Sequence, residues 1–189
     1  MAVARVSIAR GGKGKLSDPS LWFRLRKDTV RGVEAVGSAS GCGAVFARSF
    51  ADYSATMDVE AAKKKAAFAA VDEFVKDGQV VGVGSGSTVV YAVERLKERV
   101  RAEGIKVTCV ATSFQSTQLC VEAGLTLTDL SRDPVLDVVI DGADEVDVQL
   151  QLIKGGGGCQ LQEKVVASCA KQMVVIADYR KDSNVAARV

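Results

Sequence analysis

The chain has 189 residues, 48% hydrophobic and 25% charged, with a formal net charge of +2, the composition of an ordinary globular protein of one-domain size. No apolar run approaches the roughly 18 residues that span a bilayer, so no membrane partner is expected. The absence of any histidine removes Ser-His-Asp and Cys-His nucleophile pairs, the usual zinc sites and the commonest neutral-pH proton shuttle, leaving carboxylates, lysines and backbone amides to carry chemistry.

Residues 1–50 carry nine Lys or Arg against Asp18, Asp28 and Glu34, leaving +6, while residues 51–189 carry −4. Gly11-Gly12 and Ser38 to Gly43 break any helical or strand period, so residues 1–56 read as a poorly ordered basic extension. The same composition suits an organelle transit peptide. Its bases are dispersed and the body is acidic, which argues against a nucleic-acid arm. Residues 57–189 form the α/β domain. Cys42, Cys109, Cys120, Cys159 and Cys169 are odd in number and contain no C-x-x-C, as in thiols of a reducing compartment. A cytoplasmic location is therefore expected.

From Met57 onward the pattern becomes regular. Asp58 is placed to cap a helix whose Ala62, Ala66, Phe68, Ala69, Val71, Phe74 and Val75 recur at helical spacing, with Gly78 as its stop. Residues 79–83 read as a strand, 84–88 as a tight turn and 89–102 as an amphipathic helix ended by Gly104. A strand over 106–111, a helix over 115–123 stopped by Gly124 and a buried-type strand over 135–140 follow, then a helix over 163–170 and a strand over 173–177. Strands alternating with helices predict a Rossmann-like parallel sheet with helices on both faces, preceded by the extension. Ligands of such sheets sit outside the carboxyl ends of the strands.

Three clusters fall at those ends. In Gly82-Val83-Gly84-Ser85-Gly86-Ser87-Thr88, the glycines let backbone approach an anion, and amides and hydroxyls at a helix start donate to it. No Gly-Lys-[Ser/Thr] follows, Ser87 stands where G-x-G-x-x-G needs its third glycine, and the next strand ends in Thr112-Ser113 without a ribose-binding acid. These features favour a small phosphorylated ligand over a dinucleotide; the competing reading is a tight turn with Ser87 as an N-cap. In the second cluster, Asp141, Asp144, Glu145 and Asp147 crowd the end of a hydrophobic strand, where repulsion and burial shift carboxyl pKa values. A solvated acidic loop and a Mg²⁺ site are the alternatives. The third is Lys154-Gly155-Gly156-Gly157-Gly158 followed by Glu163, a loop able to wrap an oxyanion beside a cation. Alone, Glu163 is an ordinary first-turn acid complementing the helix dipole.

Together with Ile176-Ala177-Asp178-Tyr179-Arg180-Lys181, and in this order and spacing, these clusters resemble the ribose-5-phosphate isomerase family of the A type over about residues 57–183. The resemblance implies interconversion of D-ribose 5-phosphate and D-ribulose 5-phosphate in the non-oxidative pentose phosphate pathway, with neither metal nor organic cofactor. It implies Glu163 as catalytic base and Asp141, Asp144 and Lys154 at the sugar hydroxyls and reacting oxygens. Gly84, Ser85, Gly86, Ser87, Thr88, Gly155, Gly156, Gly157 and Lys181 then surround the substrate, with Lys64 as a further phosphate contact. Full-length members are dimers or tetramers and continue beyond this chain's last residues. The resemblance therefore implies a C-terminally truncated form with apolar surface exposed around Met173–Ala177. Two other readings are a non-catalytic sugar-phosphate-binding domain, as in sugar-responsive bacterial repressors, and an inactive isoform that joins full-length subunits.

Overall fold

A computed structural model describes residues 2–6, 59–147 and 151–183. Strand β1 (Ala2–Val6) is followed by helix α1 (Val59–Phe74), β2 (Val80–Val83), α2 (Ser87–Glu103), β3 (Thr108–Ala111), α3 (Phe114–Ala123) and β4 (Thr126–Thr128). Then come β5 (Leu136–Asp141), β6 (Glu145–Asp147), β7 (Leu152–Ile153), α4 (Gln160–Cys169), β8 (Ala170–Ala177), a 3₁₀ turn (Tyr179–Lys181) and β9 (Asp182–Ser183). Five parallel strands run in the order β8-β5-β2-β3-β4, and β1 pairs antiparallel with the outer edge of β8.

Alternation along the strands builds a core on each face. Val81, Val83, Val138, Ile140, Val174 and Ile176 meet α1, α2 and Cys120 of α3 on one side. Val110, Leu136, Val139, Met173 and Val175 meet Val166 and Ala167 of α4 on the other. These strands are buried on both faces, as the near-continuous β-branched runs predict. At the end of helix α1, Arg99 of α2 donates from Nη1 to Val71 O (3.0 Å) and Val75 O (2.8 Å), satisfying carbonyls at the negative end of the dipole. Ser113 and Ser116 form a reciprocal capping box at the start of α3, and Gly124 in the left-handed region ends it.

Four of the five parallel strands and the four α-helices fall where periodicity places them, with shifted ends. Helix α2 begins at Ser87, directly after its N-cap Gly86, and α4 begins at Gln160. Ala170 opens β8 and does not close the helix. The expected Asp58 cap, and residues 7–56 of the basic extension, lie outside the described residues. Strand β1 is an element that the sequence reading did not assign. So are β4, β6, β7 and β9, of two or three residues each, too short to show a period. Of the apolar surface expected around Met173–Ala177, none is on the strand itself, whose five residues are buried because β1 covers the edge and helices cover both faces. Leu161 and Val165, on the helix leading into it, are the exposed apolar side chains nearby in the chain. Among the described residues no helix is long and apolar enough to cross a membrane.

Candidate active site

Strand β2 has β3 on one side and β5 on the other, so the sheet changes direction there and a crevice opens at the carboxyl ends of β2 and β5. Asp141 is the last residue of β5 and is 1% exposed. Its Oδ1 accepts from the amides of Ser85 (3.1 Å) and Gly142 (2.7 Å). Gly84 makes this position available: a Cβ there would lie 2.0 Å from Asp141 Oδ1 and 2.6 Å from Asp141 Cα. Gly82 is likewise held against Val139. The first two glycines of the loop thus serve strand packing, and only Gly86, at φ +109° with open space around it, keeps the freedom expected of an anion loop.

After β5 the chain makes the small β6–β7 hairpin, which pairs Glu145 with Ile153 and so returns Lys154 to the end of β5. Lys154 is 9% exposed. Its Nζ donates to Gly142 O (2.6 Å), lies 3.0 Å from Asp141 Oδ2 and stands 3.7 Å from Glu163 Oε2. The Asp141 contact is an ion pair without hydrogen-bond alignment, so Asp141 Oδ2 and Glu163 Oε2 both remain buried without a hydrogen-bond partner. Glu163 shares the inner side of α4 with Val166 and Ala167 and is 5% exposed. It therefore points into the molecule, unlike a surface acid that merely complements the dipole. Burial pushes its pKa above the usual glutamate range, the Asp141 charge adds to the rise, and Lys154 opposes it. Asp141 is also raised, by burial first, against the pull of Lys154 and its amide donors. Two carboxyls around one ammonium, each with an unfilled oxygen, make a site that can hold and move protons.

The glycine run closes the other wall. Gly155 (φ +97°) and Gly158 (φ +84°) adopt left-handed conformations, joined by Gly158 N donating to Gly155 O (2.9 Å). Gly156 N donates to Asp144 Oδ2 (2.8 Å), while Gly157 is exposed with open space beside its Cα.

The structure thus brings Asp141, Lys154 and Glu163 into direct contact and ties Asp144 to the glycine loop. Ser85 faces inward, its hydroxyl 3.0 Å from that of Thr112. Ser87 is exposed in the first turn of α2, and Thr88 lies on that helix's buried side. Lys181 is half-buried in the 3₁₀ turn after β8. Lys64 is exposed and paired with Glu94 at 3.3 Å. Its neighbour Lys63 is buried and held by Glu60 at 2.7 Å, a distinction visible only once the helix is packed. Asp178, at the end of β8, is buried too. Burial alone would raise its pKa, but hydrogen bonds from Arg180 and a smaller effect of Lys63 hold it below the usual range. Gln115 was also absent from the sequence reading; its Oε1 accepts from Gly86 N at 2.9 Å. Among the described residues no group of three or more His, Cys, Asp or Glu is arranged to hold a metal ion.

The family model described as Ribose 5-phosphate isomerase A (phosphoriboisomerase A) matches residues 108–188. The ribose-5-phosphate isomerase of Dictyostelium discoideum is 62% identical over 128 residues, which are 67% of this chain and 53% of that protein. The Homo sapiens enzyme is 58% identical over 124 residues, 66% of this chain and 40% of that one. The chain spans about half the length of the curated relatives it matches. Among solved structures, ribose 5-phosphate isomerase A from Methanocaldococcus jannaschii has a TM-score of 0.66 at 39% identity, covering 69% of this chain and 58% of that one. A D-ribose-5-phosphate isomerase in complex with phospho-erythronic acid has a TM-score of 0.67 at 37% identity, covering 70% and 58%.

Proposed function

We propose that over the stretch it shares with these relatives the chain belongs to the ribose-5-phosphate isomerase A family, and that it interconverts D-ribose 5-phosphate and D-ribulose 5-phosphate. The observation that carries this reading is the buried Asp141–Lys154–Glu163 cluster, with one unfilled oxygen on each carboxyl. A domain that only binds a sugar phosphate has no use for such a cluster.

In this reading Glu163 takes the proton from C2 of the open-chain aldose. The C–H electrons form the C1=C2 bond, and the carbonyl electrons move onto O1, where Lys154 Nζ stabilises the developing charge. O1 takes up a proton, the hydroxyl proton on O2 leaves as the C2=O bond forms, and Glu163 returns its proton to C1, so the proton gained at O1 balances the one lost from O2 and no electron is gained overall. Asp141 or Asp144 relays the hydroxyl protons. The loop from Gly84 to Thr88, with Lys181, holds the phosphate and so fixes the distance to the reacting carbons. A neighbour solved with phospho-erythronic acid supports a phosphorylated acyclic sugar as the class of ligand.

The domain division at residue 57, a homo-oligomeric assembly, a cytoplasmic location and a place in the pentose phosphate pathway belong to the same proposal. The decisive experiment is an assay of the 189-residue chain for ribulose 5-phosphate formed from ribose 5-phosphate. Turnover lost in Glu163→Gln upholds it, and binding without any turnover in the parental chain overturns it in favour of a sugar-phosphate-binding domain.

A further inference from the structure

We infer that Gln115 is a positioning residue for the phosphate end of the site, an inference that rests on the function proposed above. The end of β2 and the loop after it are fastened to the β3–α3 loop and the first turn of α3 at three points. Thr112 N donates to Val83 O (3.0 Å), the hydroxyls of Ser85 and Thr112 meet at 3.0 Å, and Gly86 N donates to Gln115 Oε1 at 2.9 Å. The first two involve the fully buried Thr112 and hold the strands in register. The third differs, because Gly86 and Gln115 are both exposed and Gly86 is the N-cap of α2.

At φ +109° and ψ 175° Gly86 holds a backbone conformation that other residues rarely adopt, and its carbonyl accepts from Val89 N (3.2 Å) in the first turn of α2. No side chain of its own helix caps the α2 terminus. The bond from α3 therefore sets how the first amides of α2, those of Ser87 and Thr88, are aimed. The chemistry of the brace also matters. A carboxamide oxygen accepts the Gly86 hydrogen without placing a negative charge beside an incoming dianion, and the NH₂ group on the same carbon is a donor. A carboxylate in this position would hold the loop equally well and repel the ligand.

The test separates holding the loop from admitting the anion. Ribose 5-phosphate is titrated calorimetrically into the parental chain, Gln115→Glu and Gln115→Ala at low and at high salt, with thermal melts of each. We expect Gln115→Glu to melt like the parent yet bind about tenfold or more weakly at low salt, as one unit charge near a partly screened phosphate requires, with the gap narrowing as salt rises. Gln115→Ala is expected to weaken binding several-fold with no salt dependence in the difference. In any variant that turns over, KM should rise while kcat holds. Parental affinity for ribose 5-phosphate in both variants overturns the inference and leaves the proposed function intact. A parental chain that binds no ribose 5-phosphate overturns both.

Discussion

Glu163 is buried beside the Lys154 cation, and the charges of Asp141 and, less strongly, Asp144 oppose its ionisation. Its raised pKa sets the acid side of any activity that uses its carboxylate as base. The acid limb of kcat/KM should lie above the ordinary 4.5, move further up in Lys154→Met, which removes the cation, and move down in Asp141→Asn, which removes the like charge. A pH profile of the three proteins checks this. The same shift bears on stability. A carboxyl raised in the folded state binds more protons there than in the unfolded chain, so stability is greatest below the unfolded pKa and falls as pH rises toward the folded one. Glu163→Gln should therefore lower kcat by roughly 10² or more, the scale of a lost general base, while its melting temperature at neutral pH equals or exceeds the parent's. A parental kcat in this variant would remove Glu163 from the base role.

At the scale of elements, the site depends on two loops whose glycines are not equivalent. Gly84→Ala would drive a methyl into Asp141, and overpacking of this kind costs about 1–3 kcal/mol. Because Asp141 is the carboxylate displaced, activity should fall with stability. In the glycine run, Gly155 has a positive φ and a Cβ position 2.4 Å from Gln160 Cβ, so Gly155→Ala should destabilise the turn that leads into α4 and lower the melting temperature. Gly157 has neither constraint, and Gly157→Ala should melt as the parent does. Equal melting of the two variants would show that the run is a uniform flexible tether, not a shaped turn.

For the whole molecule, the pairing of β1 with β8 joins the chain's first residues to the domain that follows. Val3 pairs with Ile176 and Arg5 with Val174, so β1 closes the edge beside a strand whose last five residues are all buried. Deleting residues 2–6 should leave a parallel sheet with an unpaired hydrophobic edge, a template for association with other chains. We expect a lower denaturant midpoint and concentration-dependent growth in light scattering for the deletion. An unchanged midpoint with no growth would mean that β1 adds nothing to the domain.

The order of the helices and of four of the five parallel strands was legible in the sequence, because each of those elements is long enough to show its period and is stopped by Gly104, Gly124 or a neighbouring turn; the three-residue β4 is not. The sequence also brought the candidate site residues to notice, since Gly-Ser-Gly-Ser-Thr, Asp-Gly-Ala-Asp-Glu and Lys followed by four glycines are rare combinations placed at strand ends. Tertiary structure alone decided which of these residues touch. Lys154 reaches Asp141 through a hairpin of two- and three-residue strands that carries no periodic signal. Glu163 becomes a buried acid only because the side of α4 that it shares with Val166 and Ala167 is turned against the sheet. The roles of Gly84 and Gln115 depend on groups 57 and 29 residues away in the chain, at Asp141 and Gly86. Local pattern records what a residue's neighbours in sequence require; burial, charge pairing and hydrogen bonds across such distances exist only when the sheet brings the strand ends together.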